Sequence, residues 1–337
     1  MRSHEKNYKA DILLTPMEKV VEEPTIIADD LLVKYGKTVA LDSFNVEIPK
    51  GISGLLGPNG AGKSTFIKSI LGLIEPASGS VNIESLKEDQ NLIKRRESIG
   101  YMPEHQCLIE DMKGFELVSY FGRLSGLPRE DAVERSHASL DFVGLGEERY
   151  RKISSYSTGM RQRVKLAQAI AHDPDILLLD EPTTGMDPDG KEEMLELIEK
   201  LGGSEKTVLI SSHILHEVEQ VSDHVIIIRD GKNIESGYVD QMMKAEDNRY
   251  KLKVRGSEKA LEVFINDLRG NWEVISTTDE KDQLVVVISG LTDTDKIFEL
   301  VEKGELQLRY IRPDIMTLED FFLRSFSGGE QVGSESD

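Results

Sequence analysis

Short apolar runs alternate with amphipathic segments through much of the chain. Three runs have the length and character of buried strands, at Ile176–Leu179, Val208–Ser211 and His224–Ile228. Between them, apolar residues recur at helical spacing in Lys191–Leu201 and Leu215–Val221. A strand buried on both faces reads as a continuous apolar run, and alternation of strands with helices is typical of a parallel sheet covered by helices. The pattern predicts an α/β core with a mainly parallel sheet.

The first part of this core contains shorter apolar runs, which also predict strands. Strands are predicted at Thr25–Val33, Ser43–Ile48 and Ile52–Leu56, and Tyr35 falls in the loop between the first two. Residues 75–86 read as a turn that leads into a further strand. The core would therefore begin with several strands close together in sequence.

The pattern becomes helical over residues 105–172, where glycine and proline interrupt it twice. This stretch predicts a helical subdomain beside the sheet. The whole core would then span residues 25–240. Residues 1–24 are charged and show no periodicity, and residues 327–337 are rich in Gly, Ser and Glu, so both ends are expected to be flexible or disordered.

A second, smaller unit is predicted after a charged stretch near residue 244, within residues 249–326. The order of its elements is β-α-β-β-α-β, which is the ferredoxin-like order of a small α+β domain. A capping-box pattern at Thr317–Asp320 predicts one more helix, which carries Phe321, Phe322 and Phe326. The predicted elements are strand Tyr250–Val254, helix Glu258–Arg269, strands Trp272–Thr277 and Gln283–Ser289, helix Asp293–Lys303 and strand Leu306–Arg312.

A phosphate-binding loop pattern, G-x-x-x-x-G-K-[ST], follows the third predicted strand. Strand Ile52–Leu56 runs into it, and Thr65–Leu73 continues with helical spacing, which is the structural context that the motif requires. Backbone N–H groups of such a loop surround an anion, and the helix N-terminus adds a positive dipole end. Lys63 would reach the β- and γ-phosphates, and Ser64 would hold Mg²⁺. The loop residues are Gly57, Pro58, Asn59, Gly60, Ala61, Gly62, Lys63, Ser64 and Thr65.

Two carboxylates close the apolar run at Ile176–Leu179. Asp180 would lie at the carboxyl end of a parallel strand, where open α/β sheets bind ligands, and is placed to hold the water shell of the same Mg²⁺. Glu181 comes next and would orient or deprotonate the water that attacks the γ-phosphate. These positions predict an ATPase site.

A Ser-x-Gly turn opens another predicted helix, at Ser157 and Gly159. The serine side chain would cap the helix, and a helix N-terminus of this kind is also a ready site for an anion. A simple helix cap explains the pattern equally well when it is taken alone.

The order of these motifs resembles the ATP-binding subunit of ABC transporters. The family signature is usually LSGGQ, and Tyr156–Met160 matches it at Ser157 and Gly159. In the family, this signature faces the phosphate loop of a second cassette. The resemblance also implies that Tyr35 stacks on adenine, Asp187 lies in the loop that links the two ATP sites, and His213 contacts the γ-phosphate.

A further departure from the family pattern occurs at the position of the family's glutamine. The family has glutamine after Tyr-x-Pro, whereas this chain reads Tyr101-Met-Pro-Glu104, with Gln106 two residues on. Glu104 would offer oxygen to Mg²⁺ as glutamine does, but it adds a negative charge beside the phosphates. Glu104, the altered signature and the C-terminal extension together resemble the exporter-type subfamily.

The composition of the chain limits the compartment it fits and the classes of partner that it can bind. No apolar run approaches the roughly 18–20 residues that span a bilayer, and a single cysteine, Cys107, fits a reducing cytosol. A net charge of −20 argues against nucleic acid as the main partner. The resemblance therefore implies a cytoplasmic ATPase that works on the inner face of the cell membrane through a separate integral-membrane permease.

The resemblance implies ATP and Mg²⁺ as cofactors and a second cassette as partner, with a homodimer favoured over a heterodimer. Phe115, Leu117, Tyr120 and Phe121 would line the groove for the permease, or would equally be core residues. Two other functions stay open at this point: a soluble ABC ATPase that acts on ribosomes or DNA, and a regulatory cassette paired with a different active one.

Overall fold

The computed structural model describes residues 25–86, 91–105, 107–203, 205–242, 249–280, 283–291 and 294–314. The predicted flexible ends, Gln106 and the helix with Phe321, Phe322 and Phe326 lie outside these residues. The strands are β1 Ile26–Tyr35, β2 Thr38–Ile48, β3 Gly51–Leu56, β4 Ser78–Ile83, β5 Ile99–Met102, β6 Ile176–Asp180, β7 Thr207–Ser212, β8 His224–Arg229, β9 Lys232–Tyr238, β10 Tyr250–Arg255, β11 Glu273–Glu280, β12 Gln283–Ser289 and β13 Gln307–Pro313. The helices are α1 Lys63–Ile70, α2 Leu92–Glu97, α3 Gly114–Leu124, α4 Arg129–Phe142, α5 Thr158–Ile170, α6 Pro188–Gly202, α7 Leu215–Val221, α8 Val239–Met242, α9 Glu258–Asn271 and α10 Asp295–Lys303.

A six-stranded sheet forms the centre of the first domain, in the order β5-β6-β7-β3-β8-β9. All neighbouring pairs are parallel except β8–β9, which is an antiparallel hairpin at one edge. Alternate residues of β6 enter two different cores: Leu177 and Leu179 join the apolar cluster on one face, and Ile176 and Leu178 join the cluster on the other. Burial on both faces explains why this strand reads as an unbroken apolar run.

A three-stranded antiparallel sheet, in the order β2-β1-β4, covers one side of this core. Here the sequence prediction was wrong in one respect: Tyr35 is the last residue of β1 and pairs with Thr38 across a two-residue turn. The prediction also began β2 five residues late, at Ser43, whereas the strand begins at Thr38. Register shifts in β1, together with the left-handed backbone of Ser43 (φ 47°), break the alternation of apolar and polar residues that would have revealed the longer hairpin.

The helical subdomain consists of α3, α4 and α5, with short 3₁₀ turns at Glu147–Tyr150 and Ile153–Ser155. Of the four residues proposed for a permease groove, Leu117 is fully buried in the core, and Phe115 and Phe121 pack partly against it. Tyr120 is 44% exposed. Leu117 is therefore a core residue, and Tyr120 is the most accessible of the four.

The C-terminal unit has the predicted β-α-β-β-α-β order over residues 249–314. Its antiparallel sheet has the strand order β11-β12-β10-β13, which is the ferredoxin-like arrangement. Leu252, Phe264 and Ile288 lie in an apolar cluster that belongs to this unit alone. The predicted fold class is confirmed, and its exact domain boundaries stay a prediction.

Four short elements escaped the sequence prediction: α2, β5, α8 and β9. None of the four exceeds seven residues, so their periodicity is too brief to detect. In the described ranges, no helix has the length and apolar character needed to cross a membrane.

Candidate nucleotide-binding site

Strand β3 leads directly into the phosphate-binding loop, and α1 starts immediately after it. A Cβ atom at position 57 would lie 2.3 Å from the carbonyl oxygen of Ile228, so only glycine fits there. Gly62 is the N-cap of α1 with φ 114°, a conformation that glycine adopts without strain. No side chain caps α1 in the described chain, and its first turn holds no acidic residue. The amide groups at this helix end are therefore available to an anion.

An open cleft of about 290 Å³ lies against this loop and is lined by eight of the predicted site residues. It is lined by Ala40, Asn59, Gly60, Gly62, Lys63, Ser64, Thr65, Glu104, His105 and Glu181. Pro58 and Ala61 do not line the cleft, and the Ala61 amide donates a hydrogen bond to the Pro58 carbonyl at 3.1 Å within the loop. The structure thus brings the loop together with Glu104 and Glu181, which lie far apart in sequence.

Lys63 and His213 both contact Glu181 at the floor of this cleft. The Lys63 ammonium lies 3.2 Å from Oε1 of Glu181 and donates a hydrogen bond to the Gly57 carbonyl at 2.7 Å. Nδ1 of His213 lies 2.8 Å from the other carboxylate oxygen, Oε2. Lys63 and Glu181 are almost completely buried, whereas the His213 side chain is 45% exposed. The three residues predicted to be catalytic are therefore in direct contact.

Asp180 is buried behind Glu181 at the end of β6. Its Oδ1 accepts a hydrogen bond from the Ser211 hydroxyl at 2.6 Å. Burial, and then the negative charge of Asp180, raise the pKa of the nearby Tyr101 to about 12, so this phenol stays neutral at physiological pH. Asp180 is thus an oriented carboxylate in a site that is shielded from water.

Glu181 has a left-handed backbone, with φ 49°. Such a conformation costs a non-glycine residue roughly 1–2 kcal/mol. Hydrogen bonds hold it in place, because the Glu181 amide donates to the Ser211 hydroxyl at 3.0 Å and lies 3.2 Å from the Ser211 carbonyl. The strand therefore ends in a sharp turn that directs the second carboxylate into the cleft.

Glu217 connects the segments behind the cleft, and sequence reasoning missed it. Its Oε2 accepts hydrogen bonds from Thr183 at 2.7 Å and from Ser212 at 2.9 Å, and its Oε1 accepts one from Lys191 at 2.9 Å. The residue is 4% exposed. The available signal was a glutamate four residues after His213 in a short helix, which on its own does not separate a buried acceptor from a solvated charge.

The signature residues lie outside the cleft, on an exposed surface. Ser157 caps α5 by accepting a hydrogen bond from the Met160 amide at 3.3 Å, as the sequence suggested, and the Ser157 side chain remains exposed. Asp187 caps α6 through the Gly190 amide at 3.0 Å. These two helix ends are neighbours, because a Cβ atom at Gly159 would lie 3.6 Å from the Met186 side chain. We call Ser157, Gly159 and Asp187 the signature patch.

Tyr35, the predicted adenine partner, lies at the tip of the β1–β2 hairpin and is 50% exposed. It is not among the residues that line the cleft, although Ala40 of the following strand is. A flat ring with one accessible face would still be suited to stack on a base that extends out of the cleft.

Comparisons with known proteins agree with this geometry. The family described as ABC transporter matches residues 41–184. The bacitracin transport ATP-binding protein BcrA of Bacillus licheniformis is 34% identical over 304 residues, which cover 89% of this chain and 96% of that protein. The Nod factor export ATP-binding protein I of Cupriavidus metallidurans is 34% identical over 225 residues, 66% of this chain and 74% of that protein. Among solved structures, the dimeric ATP-binding cassette MJ0796 in a post-hydrolysis state, bound to ADP and Pi, is 26% identical, with a TM-score of 0.57, over 63% of this chain and 98% of that one.

The match to BcrA extends into the C-terminal unit, well beyond the phosphate loop and its neighbouring motifs. The solved cassette that holds the two products of ATP hydrolysis shares the fold of the first domain. This chain therefore belongs to the family of ABC transporter ATP-binding proteins, which are ATPases.

Proposed function

We propose that two copies of this chain close on two ATP molecules and that the resulting cycle of binding and hydrolysis drives a separate membrane permease in the direction of export. The chain would act at the inner face of the cell membrane while bound to that permease. The proposal rests on one observation above all: the cleft and the signature patch are separate surfaces of a single chain.

The separation of these two surfaces favours a pair of cassettes. Ser157 is exposed and does not line the cleft, and neither does Asp187. A second chain that laid its signature patch over the cleft would complete the site with donors that the first chain lacks there. Because each chain carries both surfaces, two identical copies would suffice, and the resulting pair would have two equivalent sites. The dimeric form of the related cassette MJ0796 supports this arrangement.

The contacts of Glu181 support a role in hydrolysis. In the proposed mechanism, its carboxylate orients or deprotonates the attacking water, while His213 holds the γ-phosphate in position. Lys63 would leave its contact with Glu181 and neutralise charge that spreads over the phosphate oxygens. Ser157 and Gly159 of the opposing chain would donate hydrogen bonds to the same phosphate. These groups act mainly by fixed electrostatic complementarity to the transition state.

The donor set at the cleft fits Mg²⁺, which prefers oxygen ligands and keeps several waters when it binds together with phosphates. Ser64 and Glu104 line the cleft, and Asp180 lies behind Glu181 with one oxygen held by Ser211. We propose that these three residues hold the ion, directly or through water. When bound, Mg²⁺ would neutralise phosphate charge and polarise the bond that breaks.

The names of the relatives support a role in transport, and one of them supports the direction of export. The similar Nod factor protein is described as an export ATP-binding protein, and BcrA as an ATP-binding protein of bacitracin transport. ATP binding would favour closure because both chains grip the γ-phosphate, and hydrolysis would remove that shared contact.

Glu181→Gln tests the proposal. The amide preserves the size of the side chain but accepts no proton, so we expect the hydrolysis rate to fall by at least about 100-fold while ATP still binds. A stable pair of chains should then accumulate with ATP and Mg²⁺, which size-exclusion chromatography with light scattering would measure. Glu192→Gln, which changes an exposed glutamate of α6, is the matched control and should behave as wild type. Normal turnover by the Glu181 variant, or a monomer under all nucleotide conditions, would contradict the proposal.

A further inference from the structure

Lys165 is a buried cation that the proposed catalytic cycle does not use. It lies in α5, is 4% exposed and belongs to none of the motifs discussed above. Its ammonium group donates hydrogen bonds to the carbonyl oxygens of Glu104 at 2.9 Å and Pro103 at 3.1 Å. A lysine is rarely so deeply buried unless its charge is compensated.

The segment that Lys165 holds contains Glu104, one of the positions where this chain departs from the family pattern. Glu104 follows β5 and lines the cleft together with Lys63 and Ser64. Both carbonyl groups that Lys165 contacts lie beyond the end of β5 at Met102, where the ladder with β6 has stopped. The lysine therefore takes over the role of the strand ladder and fixes the backbone from which the Glu104 side chain projects.

The cleft beside this loop carries two carboxylates, and one of them, that of Glu181, already pairs with Lys63. Glu104 and Glu181 both face the cleft, and a bound nucleotide would add the charge of its phosphates. Burial lowers the pKa of Lys165, and the negative charge of the Glu104 carboxylate partly opposes this effect. A cation bonded to the backbone carbonyl of Glu104 thus offsets part of the charge that a glutamate adds to the loop.

The same helix also carries two residues of the signature patch, Ser157 and Gly159, at its N-terminus. Ser157 is the N-cap of α5, and Lys165 follows eight positions later, a distance of about 12 Å along a helix. Any shift of α5 would therefore move the Glu104 loop with it. This gives a direct physical link between the exposed Ser157 and a residue inside the cleft of the same chain.

We propose that Lys165 is a positioning residue for the nucleotide: it fastens the Glu104 loop to the signature helix and offsets the negative charge of Glu104 beside the phosphates. This inference rests on the proposed function. It predicts a specific dependence, because Lys165 matters for nucleotide binding only as long as residue 104 is a glutamate.

A double-mutant cycle measures this dependence. The variants are Lys165→Met, Glu104→Gln and the two combined, in the full-length chain. Calorimetric titration with Mg²⁺ and the nonhydrolysable analogue AMP-PNP gives the dissociation constant, and thermal unfolding gives the stability. Lys206→Met is the matched control, because Lys206 also donates to a backbone carbonyl, that of Pro174 at 2.7 Å, but lies at the opposite end of β7.

We expect Lys165→Met to weaken binding of the analogue roughly tenfold, while the same change in the Glu104→Gln background costs roughly twofold or less. The Lys206 control should lower the unfolding temperature without changing affinity. If the methionine variant does not fold, Lys165→Gln, which keeps a donor for the carbonyl groups but lacks the charge, takes its place in the cycle.

Equal losses in both backgrounds would overturn the inference, because Lys165 would then be a structural brace that is indifferent to Glu104. Wild-type affinity of the Lys165 variants would also overturn it. In both cases the proposed function would stand, since the wild-type chain binds the analogue. A wild-type chain that fails to bind it would overturn the proposed function together with the inference.

Discussion

The two units of this chain are built on opposite principles. At the cleft, the first domain buries charged and hydroxyl side chains that make hydrogen bonds with one another, among them Lys63, Asp180, Glu181, Ser211 and Glu217. The C-terminal unit buries apolar side chains, and within its described residues Arg249 is the one polar residue below one-tenth exposure. Arg249 lies at the start of the unit and pairs with Asp314 at 3.4 Å.

The difference shows where the structure bears a cost for function. A buried charge loses its hydration, and even a well-paired one adds little to stability compared with an apolar residue of the same size. The C-terminal unit has the arrangement expected of a domain that only needs to remain folded. Several such costs are concentrated at the carboxyl ends of the parallel strands β3, β6 and β7 and in the segments that follow them, and this concentration marks the candidate site more clearly than any single contact does.

The substitution with the largest expected effect abolishes tight ATP binding at the cleft and leaves the C-terminal unit intact. Lys63→Ala removes the ammonium group at the floor of the cleft and leaves Glu181 without its cationic neighbour. We expect ATP affinity to fall roughly 1000-fold, which corresponds to about 4 kcal/mol. Calorimetric titration with ATP and Mg²⁺ checks this. Lys68→Ala, an exposed position on the same helix, should bind as wild type. Unchanged affinity in the Lys63 variant would remove the loop from the site.

The reverse experiment damages the C-terminal unit and spares the site. Phe264 is 2% exposed in the apolar cluster of that unit, so Phe264→Ala should destabilise it by about 3 kcal/mol. The single tryptophan of the chain, Trp272, packs against the same cluster, so its fluorescence during urea unfolding reports on this unit. ATP affinity should stay unchanged.

Val263→Ala on the same helix is the control for this experiment. Val263 is 51% exposed, so its loss should have little effect on unfolding. A parallel loss of ATP affinity in the Phe264 variant would show that the two units are energetically coupled, and the contrast drawn above would then fail.

A smaller effect is expected from Glu217, which supports the cleft from behind. In Glu217→Gln, an NH₂ group replaces one of the two acceptor oxygens, so either the hydroxyl groups of Thr183 and Ser212 or the ammonium group of Lys191 loses its acceptor. We expect kcat for ATP hydrolysis to fall about 10- to 100-fold, because Glu181 and His213 flank these two residues, and ATP affinity to change less than about threefold. Steady-state kinetics separates the change in kcat from the change in apparent ATP affinity. Glu219→Gln on the same helix serves as control, and an equal effect there would argue against the network.

The smallest expected effect comes from Glu305, a glutamate of the C-terminal unit that has the same backbone conformation as Glu181. Glu305 is exposed in the turn after α10 and has φ 50°, close to the value of Glu181. Glu305→Gly should raise the free energy of unfolding of the C-terminal unit by about 0.5 kcal/mol, since glycine adopts this conformation without strain but gains freedom in the unfolded chain. Glu302→Gly, inside α10, should lower it by about 1 kcal/mol. Urea unfolding followed by tryptophan fluorescence measures both, and a loss of stability in the Glu305 variant would contradict the assignment of strain.

Much of the first domain could be predicted from sequence because function and burial leave strong patterns there. Strands β6, β7 and β8 are nearly continuous apolar runs, and their predicted limits agree with the structure to within one residue at each end. The phosphate loop and the two carboxylates of β6 were recognisable because their spacing is tied to backbone geometry. The C-terminal unit was predictable from the alternation in its strands and the period of its helices.

The remaining features depend on contacts between distant parts of the chain. Neither Glu217 nor Lys165 stands in a pattern that separates a buried, bonded charge from one on the surface of a helix. The partners of Glu217 come from three segments, and those of Lys165 lie about 60 positions earlier in the chain. Likewise, the end of β1 at Tyr35 follows from bulges and a two-residue turn, which local composition does not reveal.

The division of the signature patch and the cleft between two surfaces of one polypeptide has a genetic consequence. In the proposed pair, each ATP site would consist of the cleft of one subunit and the signature patch of the other. A subunit with a defective cleft would still supply an intact signature patch to its partner. A subunit with a defective signature patch would still supply an intact cleft. Two alleles, one defective in the cleft and the other in the signature patch, would together form a pair with one working ATP site out of two. Two alleles defective in the same surface would form a pair with no working site.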